Sequence, residues 1–314
     1  MNNFKQISMR EAFGESLLEL GKDYPEMVVL DADVSSSTQT IKFGIEYPDR
    51  FFNVGVAEAN MVDMASGMAM CGLRPIASSF AVFLTLKATE QIANVICYNK
   101  LPVILVGGYA GLSDSYDGAS HQSITDIAIM RSMPNLNVIV PADSVEFVQA
   151  LRQVIKLECP TYIRICRNPT PVLFKDGDLF EFGKIRKFRD GKDITIAACG
   201  VTVSLAIEAA DELNKTGIYA DVLNISTVKP LDIATLVMSV RKTGRILTVE
   251  EHSICGGMGS AVAEVLMKEY PVKIDYIGIN DTFAETGPYL ELLEKYNISK
   301  KSIIDKTINL LPKF

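Results

Sequence analysis

The chain is 314 residues long, nearly half hydrophobic, without tryptophan, and carries a formal charge of −7. That length accommodates two domains of ordinary size, each with its own core, and the aliphatic bias suits α/β layers better than an aromatic-rich β-sandwich. The acidic balance excludes a nucleic-acid-binding reading, which needs a basic face, and no apolar run is long enough to predict a helical membrane span.

Phe13, Leu17, Leu18 and Leu20 have helical spacing and predict a helix over 9–22, followed by a buried strand at Met27-Val28-Val29-Leu30. A helix rich in Ala and Met follows at 56–71, then a strand at Ile76–Phe80, a helix at 84–98 and a continuous apolar strand at Pro102–Val106. Beyond a Gly/Ser/Asp loop at 107–120 come a helix near 123–132, a strand at Val138–Val140, a helix at 143–157 and a strand at Tyr162–Ile165. Apolar strands separated by helices predict a parallel sheet covered on both faces.

Pro169, Pro171, mixed charges and three glycines interrupt the pattern over 168–193. The alternation then resumes with strands at Ile194–Cys199, Ala220–Ile225, Arg245–Val249 and Val272–Ile277, helices at 201–215, 232–243 and 257–269, and two short helices at the end. The predicted organisation is a first α/β domain over 1–170, a linker over 171–192 and a smaller α/β domain over 193–314.

The six cysteines are scattered without a C-x-x-C pair, several in apolar runs where a buried thiol is expected. The N-terminal residues have no apolar core of a signal peptide. Together these predict a soluble protein of a reducing, cytoplasmic compartment. His121 and His252 are the two histidines, too few for a His-based metal cluster within this chain.

Ligands of open parallel sheets bind in loops at the carboxyl ends of strands. Four such loops stand out: Asp31–Ser37, Asn53–Glu58, Ser78–Phe83 and Gly107–Gln122. Glu58 opens an otherwise apolar helix and has no cationic neighbour in sequence. A carboxyl group in such surroundings tends to keep its proton and donate a hydrogen bond, whereas a solvated glutamate in a first turn would serve the helix dipole alone. The Gly107–Gln122 loop is long and carries His121, and loops of that kind are usually functional or disordered.

The ordered segments G-V-A-E-A-N-M, S-S-F-A-V-F, D-G-A-S-H-Q and M-P-N-L-N-V-I-V-P-A-D together resemble the pyrimidine-binding domain of transketolases. The later V-E-E-H-S-I-C-G-G-M-G-S-A-V is similar to the C-terminal domain of that family. The family's N-terminal domain, with its diphosphate- and Mg²⁺-binding segment, has no counterpart here. The resemblance therefore implies the small subunit of a two-chain, thiamine-diphosphate-dependent enzyme that transfers a two-carbon ketol unit between sugar phosphates. It implies an N-terminal-section partner chain, an α2β2 assembly, and a Mg²⁺ or Ca²⁺ ion held mainly by that partner.

By the same resemblance, Glu58 is the catalytic glutamate that hydrogen-bonds the aminopyrimidine, and Phe80 and Phe83 hold its ring, although core packing alone would also explain these two aromatics. Leu86 stands where many members have a tyrosine. Asp33 and Val34 match the pair beside the thiazolium. His121 and Asp117 match residues facing the C1 and C2 hydroxyls of the substrate, where an imidazole can relay protons. Arg10, Ser37 and Arg167 match positions that hold the distal phosphate, a group that guanidinium forks suit well. His252 is expected to be structural.

Two departures from the family pattern bear on specificity. A histidine common before the Gly-rich loop is absent from Gly107-Gly108-Tyr109, and Ser113-Asp114-Ser115-Tyr116 lengthens the loop before Asp117. Added negative charge near a phosphate weakens its binding, so the preferred sugar is expected to differ from the usual pentose phosphates. The rival readings are a deoxyxylulose-phosphate synthase-like half, a 2-oxoacid dehydrogenase β-subunit, and a non-catalytic scaffold.

Overall fold

The computed structural model describes residues 5–175 and 177–312. Two α/β sheets carry the chain. The first has seven strands in the order Thr227–Lys229, Asn137–Ile139, Thr161–Arg164, Ile104–Gly108, Arg74–Phe80, Met27–Asp31 and Phe51–Asn53. Its six N-terminal strands run parallel, and Thr227–Lys229 joins the edge antiparallel. The second has five strands in the order Lys273–Ile279, Arg245–Ser253, Ile194–Ala198, Ala220–Asn224 and Arg186–Arg189, the last antiparallel.

Side chains alternate across the first sheet as strand geometry requires. Met27, Val29, Ile76, Ile104, Val106 and Ile163 face the helices Met9–Asp23 and Ser144–Val154 through Phe13, Leu17, Phe147 and Leu151. Val28, Leu30, Ala77, Leu105 and Tyr162 face the opposite layer, where Met61, Val62 and Ala65 line the helix Glu58–Met70. This second cluster does not stop at the domain boundary. It continues through Ala197, Leu223 and Ile246 to Leu236, Val240 and Val262 of the C-terminal half. Each fully buried aliphatic side chain contributes about 1.5–3 kcal/mol, so the halves share one apolar interior. The other face of the second sheet packs on the helices Thr202–Lys215 and Lys300–Leu310.

The α/β architecture, with helices on both faces of each sheet, agrees with the sequence reading; purely parallel sheets do not. Five short strands lie outside the expected pattern, among them Phe51–Asn53 and Thr227–Lys229 at the two edges of the first sheet. Pro169–Pro171 pairs antiparallel with Gln6–Ser8. Arg186–Arg189 falls inside the stretch read as a linker, yet it is an edge strand of the second sheet. Its R-K-F-R sequence carries the charges that edge strands use against further pairing, and those charges hide it from a hydrophobic pattern. The linker is also tied at its start, where Asp143, the N-cap of Ser144–Val154, accepts the N–H groups of Leu173 and Phe174 at 2.5 and 2.8 Å. The helix expected at 84–98 is three pieces, Ala81–Lys87, Thr89–Gln91 and a π-helical turn Ile92–Cys97.

Because Met27–Asp31, Phe51–Asn53, Arg74–Phe80 and Ile104–Gly108 are parallel neighbours, the loops after them emerge on one sheet edge. No helix among the described residues is long and apolar enough to cross a membrane.

Candidate functional site

Asp31 builds the first loop. Its buried carboxylate accepts the Val34 N–H at 2.7 Å and the hydroxyls of Thr38 and Thr40, each at 2.8 Å. Burial pushes this carboxyl up from the usual range, and the three hydrogen bonds oppose that shift. The chain then turns through Asp33 with φ of 65°, a conformation that aspartate tolerates better than most residues. The Asn53 side chain clamps the turn, accepting the Asp33 N–H at 3.1 Å and donating to its carboxylate at 3.0 Å.

Glu58 stands at the first position of its helix and is only 3 % exposed. The sequence suggested a carboxyl without a cation. The structure corrects this: Lys87 Nζ donates to both Glu58 oxygens, at 3.0 and 3.1 Å. Lys87 follows Phe83 by four residues on the helix Ala81–Lys87, a spacing that brings side chains together, and its ammonium lies 4.4 Å from the Phe83 ring centroid.

Phe83 begins an aromatic group. Its ring stacks with Phe80 at 6.0 Å and meets the His121 ring edge-on at 5.0 Å. Phe80 in turn stacks on Tyr109 at 4.3 Å. Val34 and Val82 pack against the same group, and Ser120 Oγ lies 3.0 Å from His121 Nδ1. Glu58, Phe80, Phe83, Val34 and His121, separated by up to 87 residues in sequence, therefore converge.

Arg10, Ser37 and Arg167 converge as well, around Tyr109. Arg10 Nη1 donates to the Tyr109 hydroxyl at 2.9 Å and to the Ser37 carbonyl at 3.2 Å. Both guanidiniums lie against the Tyr109 ring, Arg10 at 5.8 Å and Arg167 at 5.1 Å from its centroid. Arg167 also pairs with buried Asp114 at 3.3 Å. Burial, with the charge of Asp117 next in order, pushes Asp114 up to about 7. Asp117 is exposed beside it. Asp33 is held by Asn53 rather than by the aromatic group.

The C-terminal half holds the Gly-rich loop from behind. Glu251 Oε1 accepts the Leu112 N–H at 2.8 Å, and burial pushes this carboxyl up to about 7. Arg164 bridges the halves: it pairs with Asp126 at 2.8 Å and donates to the carbonyls of Ser123 and Glu251. His252 is buried, its Nε2 accepts the Ala128 N–H at 3.4 Å and its Nδ1 donates to the Ser253 carbonyl at 2.7 Å. Sequence reasoning missed Lys87, Asn53 and Glu251. Of these only Lys87 had a local signal, its helical spacing from Phe83. Among the described residues, no three His, Cys, Asp or Glu side chains form a group that could hold a metal ion.

Residues 5–172 match the family described as transketolase, pyrimidine binding domain, and residues 183–303 match transketolase, C-terminal domain. The chain is 42 % identical to a Methanocaldococcus jannaschii protein provisionally named transketolase C-terminal section, over 97 % of this chain and 96 % of that one. It is 37 % identical to a 6-deoxy-6-sulfo-D-fructose transketolase subunit of Clostridium sp. strain MSTE9, over 94 % and 92 %. A solved split-gene transketolase, described as an inactive β4 tetramer, superposes with a TM-score of 0.90 at 43 % identity, covering 98 % of this chain and 99 % of that one.

Proposed function

The chain belongs to the transketolase family, and from that premise we propose that it is the pyrimidine-binding and C-terminal half of a two-chain, thiamine-diphosphate-dependent transketolase. It transfers a two-carbon ketol unit between sugar phosphates, or sugars with a related anionic end, and does so only with an N-terminal-section partner. The observation that carries this reading is the convergence of a buried carboxylate, Glu58, with the faces of Phe83 and Phe80 and the imidazole of His121. A carboxyl group beside aromatic rings and Val34 suits a flat heteroaromatic ring with a basic nitrogen, to which its protonated form would donate a hydrogen bond.

Thiamine diphosphate, when bound, supplies the carbanion chemistry of ketol transfer. This chain supplies the rest of its half-site. Glu58 would hold the aminopyrimidine through a hydrogen bond, and Phe80 and Phe83 would pack against its ring. Val34 and Asp33 line the neighbouring rim. His121 moves a proton to or from the sugar oxygen, Asp117 binds a hydroxyl, and Arg10, Ser37 and Arg167 hold the anionic end. In this reading Mg²⁺ or Ca²⁺ and the diphosphate are held mainly by the partner. Closed two-fold symmetry makes an α2β2 assembly the simplest complex, and a cytoplasmic setting is part of the same proposal. A similar solved chain is described as an inactive β4 tetramer, which supports a chain that self-associates without turnover until its partner joins.

Ketol transfer is to be assayed with this chain alone, with the partner alone and with both. Activity in the mixture only, lost in Glu58→Ala while the complex still assembles, is the expected result. Activity of this chain alone would overturn the two-chain reading. Full activity of Glu58→Ala would overturn the site.

A further inference from the structure

The anionic end of the site departs from a simple pair of phosphate-binding arginines. Tyr109 follows the strand Ile104–Gly108 with φ of 58°, a left-handed conformation that is strained for a bulky side chain. That turn folds its ring onto Phe80 at 4.3 Å and brings its hydroxyl to Arg10 Nη1 at 2.9 Å. Both guanidiniums flank the same ring. Tyr109 is 5 % exposed, so it is a fixed wall rather than a mobile lid. Arg10 Nε is buried and makes no hydrogen bond among the described residues, which leaves one donor of that fork for a ligand.

Arg167 is committed in part to Asp114. The Asp114 carboxylate is fully buried, reaches Arg167 Nη1 at 3.3 Å and has its second oxygen without a partner. Above the value of about 7 to which burial pushes Asp114, two guanidinium charges set against its carboxylate leave a net of about one positive charge, with exposed Asp117 adding further negative potential. A phosphate monoester carries close to two negative charges near neutrality; a sulfonate or carboxylate carries one.

We propose that Tyr109 and Asp114 set specificity at the far end of the sugar, and that the site takes a sugar ending in a singly charged anion, a sulfonate or carboxylate, in preference to a phosphate dianion. This rests on the reading of Arg10 and Arg167 as the anion site. Arg10 then offers its unpaired Nε to one end of the anion, and Arg167, part-neutralised by Asp114, faces the other.

Binding tests this without turnover. The full chain is titrated calorimetrically at pH 8 with glycerol 3-phosphate and with 2,3-dihydroxypropane-1-sulfonate, as wild type, Asp114→Asn and Tyr109→His. The wild type is expected to bind the sulfonate at least as tightly as the phosphate. Asp114→Asn keeps the shape and removes the charge, and should shift the preference toward phosphate at least tenfold. Tyr109→His should shift it the same way by severalfold, by freeing Arg10 Nη1. A wild-type preference for phosphate, or an unchanged ratio in Asp114→Asn, overturns the proposal, and no binding of either ligand overturns the anion site itself. Failure of the enzyme reading would register separately, as no ketol transfer from a short uncharged ketose by the two-chain mixture.

Discussion

The ammonium of Lys87 bridges both carboxylate oxygens of Glu58 while lying over the ring of Phe83. The Lys87 side chain is about half exposed and that of Glu58 is almost fully buried, so the lysine reaches from solvent into the place where a ring would pair with the glutamate. A ligand nitrogen that takes the Glu58 carboxyl has to displace this cation. Lys87→Met is therefore expected to tighten thiamine diphosphate binding to the chain severalfold, measured calorimetrically. It should also lower the melting temperature by a few degrees, because the buried carboxylate loses its partner. Weaker binding in the variant would mean that Lys87 assists the cofactor instead.

Most of the fold was legible because its strands are apolar runs such as Val103–Val106 and its helices keep a regular stripe. The short edges were not: Thr227–Lys229 carries one apolar residue in three and Arg186–Arg189 is mostly charged. In the site, Glu58, Phe80, Phe83 and His121 were legible from ordered motifs. The partners that fix them were not, since Lys87 is 29 residues from Glu58, Asp114 is 53 from Arg167, and Glu251 is 139 from Leu112. Pairings at such separations are decided by sheet order, which no local pattern encodes.

Gly111 tests the support behind the Gly-rich loop. It has φ of 65°, and a Cβ there would collide with the Glu251 carboxyl group. Gly111→Ala is expected to destabilise the chain by about 2–4 kcal/mol, combining left-handed strain with overpacking. Gly217 also has positive φ, but nothing lies within 4 Å of its added Cβ. Gly217→Ala should cost only about 1 kcal/mol. Chemical denaturation of the two variants side by side checks the difference; equal losses would show that Glu251 yields freely.

Stability should rise on mild acidification. Burial pushes Glu251 and Glu146 up to about 7 from an ordinary 4.5. Between those values the folded chain holds protons that the unfolded chain releases, so each group adds stability as pH falls through about 7 and loses it as pH rises, by ~1.4 kcal/mol per pH unit at most. The melting temperature is expected to be several degrees higher at pH 5.5 than at pH 8.5. Glu251→Gln, which can still accept the Leu112 N–H, should shrink that difference. A melting temperature that falls between pH 8.5 and 5.5 would mean that other titrating groups outweigh these two carboxyls.

The two halves should unfold together. Thr227–Lys229, from the C-terminal half, closes the edge of the first sheet against Asn137–Ile139. The Val140 N–H donates to the Ser226 carbonyl at 2.7 Å, and Lys229 Nζ donates to the carbonyls of Arg131 and Met133. Beneath these bonds, Val138 and Met130 share one apolar cluster with Leu236 and Val262. Separate domains usually melt separately, but here removing either half strips apolar surface from the other and leaves an open strand edge, a template for aggregation. Calorimetry of the full chain is expected to give a single transition whose van't Hoff and calorimetric enthalpies agree. Residues 5–172 expressed alone should melt at lower temperature and aggregate through the uncovered Asn137–Ile139 edge. Two resolved transitions in the full chain would mean that the edge strand and the shared cluster contribute too little to couple the halves.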